Sequence, residues 1–272
     1  LFIVALLIRL VSMTAMYYYF IYKTGIPFEF QTADALGYHL DAEWMASVSI
    51  HTTHSYIFDV KGVFSDSGYF LYLSFLYRIF GPNIYLARVV KCLLGAGSCM
   101  LIYKMTSRHF DESTGRLAAL FCCFMPNLIF YCGLHLKETE MLFLIIATLE
   151  RLTYVMYKDR IDIPNSILVA VMIFLLFAFR TVLGLAVLFA VITTLVFVTF
   201  RKRNSWSHVA VIVWVMLTLG VLAGGTISNE ISSAWENRAE NQLSKREQQT
   251  SRGNLWAQYA TGTVMAPMRL VI

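Results

Sequence analysis

Long apolar runs broken by short polar connections dominate the chain. Runs that reach or approach the ~20 residues needed to cross a bilayer occupy 1–22, 84–104, 116–134, 140–157, 164–180, 182–200 and 207–227. Two shorter runs stand apart, at 67–80 and 257–272. The first is short for a span and contains Arg78, so it predicts a helix lying at the membrane interface under the loop that precedes it. The second predicts the start of a further span. Residues 1–22 are too long and too aromatic for a cleaved secretion signal. The opening at Leu1 without Met, and the stop at Ile272 inside an apolar run, read as a piece of a longer protein. The pattern predicts an all-α fold, a polytopic transmembrane helical bundle with interfacial helices in its first long loop.

Composition agrees with lipid as part of the solvent. The chain is 58% hydrophobic and 14% charged, with mean hydropathy +0.61, against about 25% charged residues in soluble domains. The net charge of +5 does not point to nucleic acid, because the basic residues sit at the ends of apolar runs. If 67–80 does not span, one side of the membrane receives eight basic residues: Lys104, Arg108, Arg116, Lys158, Arg160, Arg201, Lys202 and Arg203. The short loops of the other side carry only Lys137 and Arg180. The excess of Lys and Arg marks the cytoplasmic side, which makes 23–83, 135–139, 180–181 and the polar, charge-mixed segment 228–256 external. The expected organisation is a membrane module over 1–227, an external loop over 228–256 and the beginning of another membrane segment over 257–272. Five cysteines, Cys92, Cys99, Cys122, Cys123 and Cys132, all fall in apolar runs without metal-like spacing and read as packing residues.

Three groups of residues could carry chemistry. In 31–46, Thr32 is a candidate N-cap that places Asp34 in the first turn of an amphipathic helix, where the dipole favours its ionised form. Asp34, Tyr38 and Asp41 then share one face, and Leu36, Leu40 and Trp44 another. An ionised carboxylate at a membrane surface can act as a general base. The short connection 133–141 gathers His135, Lys137, Glu138 and Glu140 at the same membrane surface. Arg88, Lys91 and Arg180 stand at or inside the external ends of spans, where a charge is expensive and marks a site; Arg78 is a further candidate, and Arg9, in the middle of the first run, predicts a buried partner. Cations at lipid depth suit a phosphate headgroup, which Arg can hold through two hydrogen bonds. The three groups together suggest chemistry on a phosphate-bearing lipid.

The order of short motifs resembles a known family. Asp34-Ala-Leu-Gly-Tyr38-His39 is followed by Gly68-Tyr69-Phe70-Leu71-Tyr72-Leu73, Phe80-Gly81-Pro82-Asn83, Arg88-Val-Val-Lys91, Tyr103-Lys-Met-Thr-Ser-Arg108-His-Phe110, Pro126 and Lys137-Glu138-Thr139-Glu140. This series is similar to the GT-C membrane glycosyltransferases, in particular bacterial relatives of the protein O-mannosyltransferases and the lipid A aminoarabinose transferases. The resemblance covers residues 1–200 most clearly. It implies a GT-C-like bundle in the bacterial inner membrane, with its active site on the periplasmic side. It implies a polyprenyl-phosphate sugar as donor, a lipid, glycan or protein as acceptor, and Asp34 as the catalytic carboxylate. Tyr38, His39, Arg88, Lys91, His135, Lys137, Glu138, Glu140 and Arg180 would bind substrate. The family admits a divalent cation, but Ala35 stands where several relatives carry a second acidic residue, and no metal ligand is assigned. Ser65-Asp66-Ser67-Gly68 replaces the Lys that precedes a Pro-Pro segment in the aminoarabinose transferases; Arg88, Lys137 or Arg180 would take its place. Two other readings of the same residues are a lipid-linked-glycan transporter or scaffold without catalysis, and an O-antigen ligase or polymerase.

Overall fold

In a computed structural model, the residues described are 1–29, 33–55, 67–157, 162–199 and Val213. Among them the protein forms ten α-helices and no strand. These are α1 (Phe2–Thr24), α2 (Ala33–Ser47), α3 (Ile50–Ser55), α4 (Ser67–Phe80), α5 (Ile84–His109), α6 (Glu112–Phe124), α7 (Pro126–Gly133), α8 (Glu138–Tyr157), α9 (Ile163–Phe179) and α10 (Thr181–Thr199). Helices α1 and α5 are long and apolar enough to cross a membrane, and α6 with α7 makes a third if the bent pair is one span. The segments 207–227 (apart from Val213), 228–256 and 257–272, the candidate cap Thr32, and the basic residues at 158–160 and 201–203 lie outside the described residues.

Helix α5 is the hub. It packs on α1, α6 and α8, and more lightly on α7 and α4. Its start is written in the sequence: Gly81 adopts φ +77° to end α4, and Asn83 then caps α5 by accepting from the Leu86 amide at 3.1 Å. Few L-residues adopt that φ cheaply, so glycine suits the turn.

The run 116–134 was expected to form one continuous span. It instead divides at Met125 into α6 and α7, which meet at a bend of 47°. Pro126 is the cause. It has no N–H for the carbonyl of Cys122, four residues earlier, and its ring disfavours a straight helix. Arg9 supplies the missing donors. Its guanidinium is fully buried in the middle of α1, with Nη2 donating to Cys122 O at 3.2 Å and Nη1 to Cys123 O at 3.5 Å. The partner expected for Arg9 is therefore a broken helix end rather than a carboxylate.

The helices of the first long loop pair with each other. α4 forms over the residues predicted, and it buries Tyr69, Phe70, Leu73, Leu76 and Tyr77. α2 packs on it through Ala42 and Met45, both fully buried. Leu36, Leu40 and Trp44, the apolar face read from the sequence, are exposed, an arrangement suited to a helix resting on lipid. Arg78 fastens the pair: its Nη2 donates to Met45 O at 2.6 Å and Val48 O at 2.7 Å, at the C-terminal end of α2. Those are the carbonyls a helix leaves without intrahelical donors, and a cation there complements the dipole. Arg78→Ala is expected to lower stability by about 1 kcal/mol, since Arg78 is solvent-exposed and screened. Arg78→Lys should recover part of the loss, as read by thermal unfolding of the purified protein in detergent.

Candidate functional site

The connection between α7 and α8 was expected at the membrane surface. It is buried instead: Leu134, His135, Lys137, Thr139 and Glu140 are all 8% exposed or less. A buried loop needs partners for its backbone groups, which water normally supplies. Lys91 provides them. Its ammonium donates to Leu134 O at 2.9 Å, to Leu136 O in close contact, and to the Tyr69 hydroxyl at 3.4 Å. The same nitrogen lies 3.6 Å from Glu140 Oε2. An ammonium has three N–H groups, and all of them are directed at the protein itself. Lys91 follows Ile84 by seven residues, and its side chain leans toward the helix N-terminus, so the loop meets the first two turns of α5.

A layer of rings covers the loop. The His135 ring lies 5.8 Å from Phe28, 6.2 Å from His39 and 6.2 Å from Tyr69. His39 Nδ1 and the Tyr77 hydroxyl share a hydrogen bond at 2.9 Å, and His39 Nε2 lies 3.8 Å from Glu43. Burial is the main force pushing the Tyr69 and Tyr77 phenols above their ordinary values, which keeps both neutral and able to donate. Arg88 closes this layer from α5. It is fully buried, donates from Nη2 to Pro27 O at 2.5 Å, and stands 5.7 Å from the centre of the Tyr17 ring. Its Nε and Nη1 have no hydrogen-bond partner, nor do the two carboxylate oxygens of buried Glu29 or His135 Nε2. Buried polar atoms are almost always paired, so this group has capacity for something polar.

The residues singled out from the sequence separate into three sets. Tyr38, His39, Arg88, Lys91, His135, Lys137 and Glu140 come together from α2, α5, the recessed loop and the first turn of α8. Lys137 Nζ stands 5.5 Å from the Tyr38 ring, which meets Tyr69 edge-on at 5.0 Å. Asp34 and Arg180 are exposed at the rim. Asp34 lies one turn before Tyr38, and Arg180 follows Phe179, whose ring is 6.3 Å from Tyr69. Glu138 turns elsewhere, lining a cavity with Arg9. Among the described residues no three His, Cys, Asp or Glu side chains are placed to hold a metal. Glu140 faces Lys91, and Asp34 is exposed on its own turn.

Three members of the group were not foreseen. Tyr69 and Tyr77 sit eight residues apart on one face of α4, with buried Leu73 between them, a helical stripe legible in the sequence as core. Glu29 is the acid of 23–33, and nothing in its spacing distinguishes it. No protein family, curated protein or solved structure matches the chain, so the site is judged on its own geometry.

The geometry predicts a pH response. Burial, followed by the charges of Lys91, Arg88 and His39, holds His135 well below the ordinary imidazole value of 6.5. The unfolded chain takes up a proton as the pH falls through that value, while the folded protein does not. Stability present above about pH 6.5 is therefore lost as the pH falls toward the folded value. The melting temperature should drop between pH 7.5 and 5, and His135→Gln should flatten that drop.

Proposed function

We propose that this protein is a membrane glycosyltransferase of the GT-C type that moves a sugar, with inversion, from a polyprenyl-phosphate donor to a lipid, glycan or protein acceptor. The reading places the site on the periplasmic face of the bacterial inner membrane. The observation that carries it is Arg88: a fully buried guanidinium whose Nε and Nη1, with three N–H groups between them, have no hydrogen-bond partner, in the layer that also holds His135 and Tyr69. Such a cation suits a phosphate that gains charge as a bond breaks. The resemblance of Asp34-Ala-Leu-Gly-Tyr38-His39 supplies the chemistry.

In this mechanism Asp34 takes the proton of the acceptor hydroxyl, whose oxygen attacks the sugar C1. The bond from C1 to the phosphate oxygen breaks on the opposite face, and polyprenyl phosphate leaves with the bonding electrons. Arg88 receives the developing phosphate charge, with Lys137 and Arg180 nearer the rim. Tyr38 and His39 shape the acceptor side. Lys91 takes a positioning role, because its donors hold the loop that carries His135 and Lys137.

The test is incubation of the whole protein in liposomes with polyprenyl-phosphate sugars. Release of free polyprenyl phosphate is expected, and Asp34→Asn should slow it at least about 100-fold, the usual contribution of a positioned base, while donor binding persists. Release at the wild-type rate from Asp34→Asn would remove Asp34 from the mechanism. Donor binding without any release would favour a transporter or scaffold.

A further inference from the structure

A second polar centre lies apart from Arg88 and Lys91. Arg9, Gly95, Ser98, Leu128, Tyr131, Glu138, Thr139 and Leu142, from α1, α5, α7 and α8, enclose a cavity of about 210 Å³. Two opposite charges line it, and neither has a direct ion pair among the described residues. Arg9 Nε, Glu138 Oε2 and Thr139 Oγ1 are all buried atoms without a hydrogen-bond partner. Gly95 makes room for this arrangement: a Cβ there would stand 2.8 Å from Cys132 Sγ and 3.0 Å from Arg9 Nε.

The donors of Arg9 decide what the cavity takes. Its Nη1 donates to Ala5 O and Cys123 O, and its Nη2 to Cys122 O and Cys99 Sγ. Four of the five N–H groups of the guanidinium are thereby fixed, and only Nε–H remains. A carboxylate or phosphate would be gripped by two parallel N–H groups, which Arg9 cannot present, and Glu138 would repel it. An apolar occupant would leave a guanidinium N–H and a carboxylate oxygen unsolvated, at a cost of several kcal/mol. The occupant must be small and neutral, and must both accept and donate. The volume far exceeds the ~10–15 Å³ that one water requires.

We propose that this cavity is a built-in water site, in which ordered waters bridge Arg9 Nε to Glu138 and form a solvent-mediated ion pair among α1, α5, α7 and α8. Glu138 thus belongs to this centre rather than to the phosphate site. The bridge ties the first turn of α8 to the same guanidinium that closes the broken end of α6.

High-resolution cryo-EM of the whole protein in lipid nanodiscs tests the assignment. Density for at least one water within about 3.2 Å of Arg9 Nε, continuing to Glu138, is expected. A direct Arg9–Glu138 contact, an acyl chain, or a larger ligand in that density would overturn it. Radiolytic hydroxyl labelling gives a second readout, since bound water oxidises the side chains beside it. Leu142 lines the cavity, whereas Leu144 on the same helix is equally half-buried and does not. Leu142 should be oxidised at least about fivefold faster than Leu144 if several waters fill the cavity; equal rates would contradict the proposal.

Discussion

A buried ammonium holds this structure's most unusual feature in place. Removing a charge from water is unfavourable by several kcal/mol unless good partners replace the water. Lys91 has four: two loop carbonyls, a phenol and the Glu140 carboxylate. The loop has the converse problem, since its carbonyls need donors away from solvent. Each solves the other's deficit. The connection between α7 and α8 can therefore be buried against the first turns of α5, with Tyr38, His39, Tyr69 and Tyr77 of α2 and α4 beside it.

The same logic recurs with two other cations. Arg9 serves carbonyls stranded by Pro126, and Arg78 serves those at the end of α2. A basic residue inside an apolar run is a candidate ligand-binding group on grounds of cost, but cost alone does not say who repays it. Counting donors does. Lys91 directs all its donors into the protein, Arg78 gives its Nη2 to two carbonyls, and Arg9 has a single N–H left over. Arg88 keeps three N–H groups, on Nε and Nη1, without a hydrogen-bond partner, with the charge of the buried Glu29 carboxylate acting on it.

Much of this was legible in the chain. A helix forms over 67–80, the run that its length and Arg78 set apart in the sequence. Leu36, Leu40 and Trp44 share one face of α2, as their spacing requires, and that face is exposed. Tyr38, His39, Arg88, His135 and Lys137, grouped in the sequence by their places at the ends of apolar runs, do lie together. What was not legible is depth. Residues 133–141 look like any short polar turn between spans, and only the tertiary contact with Lys91 reveals that the turn is buried. The break at Met125 has a sequence signal in Pro126, but a proline is tolerated in many membrane helices, and Arg9 is 117 residues away. Glu138 and Glu140 look alike in sequence and diverge in space because successive helical positions face different neighbours.

The central claim is that Lys91 holds the 134–137 connection inside the protein. Hydrogen–deuterium exchange of the whole protein in lipid nanodiscs, followed by mass spectrometry, addresses it directly by comparing wild type with Lys91→Met. Peptides covering 134–140 are expected to lose protection, while peptides covering α1 and the C-terminal half of α5 exchange as before. Unchanged protection over 134–140 in Lys91→Met would contradict it.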